Sequence, residues 1–171
     1  MGIKIKNLLR MKNIFGLFLF AFAFFSCGTD ESFNNPSVQG VLNDEVWKAD
    51  SKEVVVNNAG ELTLTATRGY ETLEINLPDY DQNDTIFFNT PGTSAKFIVD
   101  APDSYTLYDS TEEADIDLRG RSYFYITEYN SAKGYISGVF GITAPIVTGF
   151  PINGEAVNIR KGNFYRIPLR D

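Results

Sequence analysis

The sequence predicts an all-β domain, an antiparallel β-sandwich or a barrel-like variant of one, carried to the cell envelope by an N-terminal export signal. Beyond residue 38, apolar and polar residues alternate in short runs, the period at which successive side chains of a strand reach opposite faces. Gly, Pro, Asn and Asp separate these runs at a spacing of roughly ten residues, as in sandwiches and barrels. No stretch after the export signal holds a helical apolar stripe for three turns.

The chain opens with a basic segment (Lys4, Lys6, Arg10, Lys12), an apolar run from Ile14 to Phe25, and then Ser26 and the single cysteine, Cys27. The run has the length of a signal-peptide core and falls short of the roughly 20 residues a spanning helix needs. Met11 begins a shorter version of the same signal, so either Met1 or Met11 can be the start. Phe24-Phe25-Ser26-Cys27 resembles the lipobox of bacterial lipoproteins, in which a small residue precedes a cysteine that takes a diacylglycerol and becomes the new N-terminus. Phe24 and Phe25 depart from the leucine and small residue usual there. The resemblance implies lipid attachment at Cys27 after removal of residues 1–26. Two or more acyl chains hold a protein on a bilayer far more firmly than one. The alternative is an ordinary signal peptide followed by a free thiol, which an oxidising compartment disfavours.

Residues 1–26 hold four of the 15 basic residues and none of the 22 acidic ones. The remainder is therefore strongly acidic, which works against nucleic acid and anionic lipid as partners. Its 145 residues suffice for one domain, and with no second cysteine the core must supply the stability. Residues 27–37 are rich in Gly, Thr, Asp, Glu, Ser, Asn and Pro and read as a lipidated flexible tether, leaving 38–171 for the β-domain. The acidic pair Asp30-Glu31 resembles the signal that sends lipoproteins of Bacteroidetes-type bacteria to the outer face of the outer membrane. The expected location is thus the outer membrane, on its periplasmic face or at the cell surface.

Strands are predicted in order along the domain. Val38–Leu42 comes first. Val54–Val56 leads into Asn57-Asn58-Ala59-Gly60, residues that tolerate positive φ and suit a hairpin turn. In Glu61–Thr67, Leu62, Leu64 and Ala66 alternate with three threonines, and Leu73, Ile75 and Leu77 repeat the pattern. Further strands are expected at Thr85–Phe88, Ala95–Val99, Ser104–Tyr108, Ser122–Tyr129, Tyr135–Thr143, Ala156–Ile159 and Phe164–Leu169. In the last third, Tyr123–Glu128 and Tyr135–Ala144 make a long hairpin about the turn 129–134. Its second arm sets Ile136, Phe140 and Ile142 on one face, and Gly138 on that face leaves room for a large neighbour. Residues 157–164 read as a strand, a turn over Arg160–Asn163 and a closing aromatic, Phe164. These motifs, with Trp47-Lys48-Ala49 and Ser104-Tyr105-Thr106-Leu107, resemble a family of small Bacteroidetes lipoproteins catalogued only as a domain of unknown function. The likeness spans Trp47 to Phe164 and implies an all-β secreted domain without a stated activity.

With no histidine and the cysteine lipidated, the Ser-His-Asp and Cys-His catalytic arrangements cannot be built, and tetrahedral zinc loses its usual ligands. Carboxylate chemistry remains. Glu112, Glu113, Asp115 and Asp117 are the densest acidic cluster, and a solvated loop explains them as well as a paired-carboxylate hydrolase does. Asp79-Tyr80-Asp81-Gln82-Asn83-Asp84 alternates oxygen ligands as calcium requires, but it lacks the glycine and distal glutamate of an EF-hand and equally reads as an acidic turn. Neither a catalytic residue, a metal site nor a cofactor is assigned. Tyr123, Tyr125 and Tyr129 are read as sharing one strand face, where they suit carbohydrate or protein contact. Cross-strand pairing or burial is the alternative. Trp47 is read as a core anchor. The function expected is a lipid-anchored, non-enzymatic binding or structural module, with membrane contact through its anchor and a glycan or envelope protein as partner. A surface carbohydrate-binding accessory lipoprotein is the second reading, and a carboxylate hydrolase the third.

Overall fold

The computed structural model describes residues 37–80, 84–88, 90–111 and 122–170. The export signal, Cys27, the tether before Ser37, the cluster from Glu112 to Asp117 and residues 81–83 of the acidic loop lie outside them. The described chain is all β, without a helix. Its strands are β1 (Ser37–Leu42), β2 (Glu45–Lys48), β3 (Ser51–Val56), β4 (Leu62–Arg68), β5 (Glu71–Leu77), β6 (Thr85–Phe87), β7 (Ser94–Ala101), β8 (Ser104–Asp109), β9 (Tyr123–Asn130), β10 (Tyr135–Thr148) and β11 (Ala156–Arg170).

The predicted alternation becomes burial. Leu62, Leu64 and Ala66 of β4 and Leu73, Ile75 and Leu77 of β5 are buried, while the threonines between the former are half-buried on the other face. At the predicted hairpin turn the Asn57 carboxamide oxygen accepts hydrogen bonds from the backbone N–H groups of Ala59 and Glu61, at 2.9 and 3.0 Å, the local side-chain bonding that favours Asn in turns. The strand not anticipated is β2. Asn43 and Asp44 both have positive φ, 46° and 74°, which is what a two-residue hairpin turn between β1 and β2 demands.

Two layers share their longest strands. One layer runs β2-β1-β11-β10-β9-β6 and the other β3-β4-β5-β7-β8. The far end of β10 leaves the first layer and pairs with β8 through Ile146 and Thr148. The far end of β11 pairs with β3 through Leu169 and Arg170, and this pairing is parallel whereas the others between described strands are antiparallel. The pairings β11-β3-β4-β5-β7-β8-β10-β11 therefore close on themselves, giving the barrel-like variant of a sandwich. Only β2 and β6 keep free edges among the described strands. Both are short, which limits the template they offer for pairing with another chain.

The interior is aromatic. Trp47 is fully buried, its ring edge-on to Phe97 at 6.2 Å, and Phe97 lies 6.4 Å from Tyr108. The Trp47 indole N–H donates to a Glu71 carboxylate oxygen at 2.8 Å, and Arg68 pairs with the same oxygen at 2.7 Å. The one polar atom of the ring is thus satisfied, as a buried indole requires, and the expectation of a core anchor holds. Ile136, Phe140 and Ile142 are buried on one face of β10. The Phe164 ring fills the space a Cβ on Gly138 would take, and it stacks on Phe124 at 4.7 Å.

Two local expectations need correction. Residues 160–163 are not a turn, because β11 runs without a break through them. Lys161 instead has φ 51°, and the register slips there, so Arg160 and Lys161 together stand opposite the single residue Gly141. That is a β-bulge, in which a polar glycine-containing tetrapeptide absorbs an extra residue instead of reversing the chain. The second correction concerns the tyrosines of β9.

Candidate functional site

Three bulges shape the outer face of the first layer. On β9, Ser137 of β10 stands opposite Glu128 and Gly138 opposite Ile126, which leaves Thr127 as the extra residue. Before it, Phe124 and Ile126 point inward while Tyr123 and Tyr125 point outward. After it the parity reverses. Tyr129 pairs with the buried Ile136 and packs against the core beside Tyr80, with ring centroids 6.0 Å apart. The three tyrosines therefore do not share a face: Tyr123 and Tyr125 are brought together outside, and Tyr129 is separated from them. Burial, and then the hydrogen bond and proximity to Tyr129, push the Tyr80 phenol up to about 12.

On β11 the bulges at Lys161 and Arg166 (φ 47°) each place two consecutive side chains outward. A bulge commonly re-aims a side chain in this way. Arg166 lies over the rings of Tyr135 and Tyr165, at 5.4 and 5.3 Å, close enough for cation–π attraction. Its backbone N–H donates to the Ser137 hydroxyl at 3.0 Å. The Tyr135 hydroxyl donates to Glu128 at 2.5 Å, and that bond is the main reason its phenol is raised above the ordinary value.

Register then aligns the face. Lys48, Gln39, Asn163, Val139, Tyr125 and Thr85 form one continuous row across all six strands. In the next row Phe87 pairs with Tyr123 and Tyr123 with Gly141, while Val41 pairs with both Arg160 and Val46. Where these rows meet the Lys161 bulge there is a cleft of about 200 Å³. Gly141 and Thr143 lie at its base, with the Tyr123 ring resting over Gly141 on one side and Asn158, Arg160 and Lys161 on the other. Gly141 makes the cleft: the Tyr123 ring comes within 2.6 Å of where a Cβ would stand, so the ring lies down against the sheet.

Charge separates by face. The outer side of the first layer carries Lys48, Arg160, Lys161 and Arg166 against Glu128, with Asp44 ion-paired to Arg160 at its margin. Lys48, Lys161 and Arg166 make no ion pair among the described residues. The outer side of the second layer carries Glu53, Glu74, Asp100 and Asp109 against Lys96 and Arg170. There the side chains bind one another: Thr63 donates to Asn76 at 2.8 Å, and Asn76 donates to Glu74 at 2.8 Å. A second hollow, of about 190 Å³ between Phe88, Thr93, Ser110 and Thr111, is lined by no charged side chain among the described residues.

The cleft is smaller than the roughly 300–1,000 Å³ typical of sites that engulf a small molecule. It suits a surface contact with one part of a larger ligand. The profile of a family described as a domain of unknown function (DUF6252) matches residues 34–168, almost the whole of this β-fold. The chain belongs to this family. No curated protein and no solved structure matches the chain. The family description thus covers every strand that builds the face and names no activity. The described residues include no group of three or more Cys, Asp or Glu placed to hold a metal ion.

Proposed function

We propose that this chain is a non-enzymatic binding module of the cell envelope, lipid-anchored at Cys27, which recognises its ligand with the outer face of the β2-β1-β11-β10-β9-β6 layer. The observation that carries the reading is the assembly of Tyr123, Arg160 and Lys161 around one open cleft, with Tyr125 in the adjoining row. Tyrosines held against a rigid sheet give large contact area at low entropic cost. The opposite face, whose polar side chains satisfy each other, has less to offer a partner. A glycan is the favoured ligand, since half-buried rings beside the amides of Gln39, Asn158 and Asn163 match a surface of ring faces and hydroxyls. The anchor rests on the basic start, the apolar run and Ser26-Cys27, and the outer-membrane destination on the likeness of Asp30-Glu31 to the Bacteroidetes-type signal.

The test is binding of the purified full chain to a panel of soluble neutral and acidic polysaccharides by calorimetry. The double variant Tyr123→Ala/Tyr125→Ala should lose the binding, and Thr65→Ala on the other layer should keep it. Binding that survives the tyrosine pair would move the site off this face, and no binding anywhere in the panel would leave only a structural role.

A further inference from the structure

On the outer face of the first layer Lys48, Lys161 and Arg166 make no ion pair among the described residues, and two of them are set there by a specific device. Both left-handed residues of β11 are cations, Lys161 and Arg166, and each sits in a bulge that adds a side chain to the outer face. A left-handed conformation is unfavourable for a long side chain by roughly 1–2 kcal/mol, and glycine or asparagine would serve a bulge better. Strain of this kind persists where the surrounding structure over-determines it and often marks a functional position. The Tyr123 ring, resting over Gly141, faces Arg160 and Lys161 across the cleft, so a ligand group between them meets an aromatic side and a positive side together.

We propose that the cleft between Tyr123 and Lys161 binds an anionic sugar unit of an acidic polysaccharide. The sugar ring lies against Tyr123, and its charged group lies towards Lys161. This deepens the binding-module reading and rests on it. Charge complementarity selects the anion, because Lys48, Lys161 and Arg166 make no ion pair among the described residues. The shape selects a polymer of single rings: the cleft is about 200 Å³, and the row from Lys48 to Thr85 continues past it over five strand spacings, roughly 24 Å. A nucleic acid is disfavoured because successive phosphates need a run of cations, and the row from Lys48 to Thr85 carries only Lys48. The anion can be a carboxylate or a sulfate ester, and the choice of probe separates them.

Arg160 enters through its partner. Its guanidinium is ion-paired with Asp44 in the β1–β2 turn, which withholds one cation from the cleft. Asp44 has φ 74°, a conformation asparagine tolerates well. Asp44→Asn therefore frees Arg160 without straining the turn and should tighten binding of an anion, an outcome misfolding cannot produce.

The experiment is a calorimetric titration of the purified full chain in non-ionic detergent. The probes are oligogalacturonate, a sulfated galactan fragment, a neutral cello-oligosaccharide of the same length and oligothymidylate. One or both acidic saccharides should bind about tenfold more tightly than the neutral one, and should weaken as salt is raised. Lys161→Asn, which keeps the left-handed conformation, should weaken the acidic saccharide about tenfold and the neutral one by much less, whereas Asp44→Asn should tighten only the acidic one, by about threefold. Equal affinity for acidic and neutral probes, unmoved by either variant, would overturn the anion preference while the binding face stands. Oligothymidylate binding as tightly as the acidic saccharides would also overturn it. If none of the saccharides binds, the binding-module reading falls with it.

Discussion

Gly138 and Gly141 lie three residues apart on β10 and do opposite work, one making room inside the barrel and the other outside it. At Gly138 the Phe164 ring and the Tyr125 carbonyl occupy the place of a side chain. Gly138→Ala forces that ring out of its stack with Phe124, and we expect it to cost about 3 kcal/mol in a urea melt. A loss under about 0.5 kcal/mol would mean that the core relaxes freely around it, as only surface sites normally do. Phe140, fully buried, should cost about 3–5 kcal/mol on truncation to alanine. Thr63, half-buried and bonded to Asn76, should cost about 1 kcal/mol when its hydroxyl is removed. Similar losses at Phe140 and Thr63 would show that the two faces of the strands are misassigned.

At the scale of the element, the Thr127 bulge decides what each tyrosine of β9 is for. Tyr129 faces the core and contacts Tyr80, so Tyr129→Ala should destabilise the fold by about 2–4 kcal/mol. Tyr125, on the outer face, should cost less than about 1 kcal/mol. Melting curves that rank the two the other way round would contradict the parity reversal. Alternation alone puts Tyr123, Tyr125 and Tyr129 on one side, because it counts residues and cannot see an extra one. The same blindness turns β11 into two strands and a turn, since Arg160-Lys161-Gly162-Asn163 has turn composition while its pairing with β10 and β1 keeps it extended. The hairpin turn at Asn43-Asp44 did have a local signal, two residues that accept positive φ, and the strand after it is only four residues long.

The whole molecule depends on closure, in which β10 and β11 each serve both layers, and its pH dependence should show where the packing is tight. The raised phenol of Tyr80 means the folded state holds that proton more firmly than the unfolded chain does. This stabilisation is complete below about pH 10, the ordinary tyrosine value, and is lost as pH rises through about 12. Urea melts between pH 8 and 12 should show stability falling across that window, and Tyr80→Phe should flatten part of the fall. An unchanged slope in the variant would remove Tyr80 as its source. At the other end of the chain, expression in a lipoprotein-processing host with labelled palmitate should give an acylated protein, and Cys27→Ser should abolish the label. An unlabelled wild type would dispose of the anchor.

The sequence by itself determined the fold class, most strands, the inward set on β4, β5 and β10, and the hairpins after Val56 and Tyr129. Each of these depends on residues close together in the chain, on a period of two or on the local chemistry of Asn and Gly. It also pointed to Tyr123 and Tyr125. Only the tertiary structure decided that the layers close into a ring, that Tyr129 turns inward, and that Arg160 and Lys161 face Tyr123 across the cleft. Those facts depend on register between strands distant in sequence, and a bulge changes register by one residue without changing composition. The face that we propose binds an acidic glycan is therefore made by three such single-residue shifts, which appear only when the strands are paired.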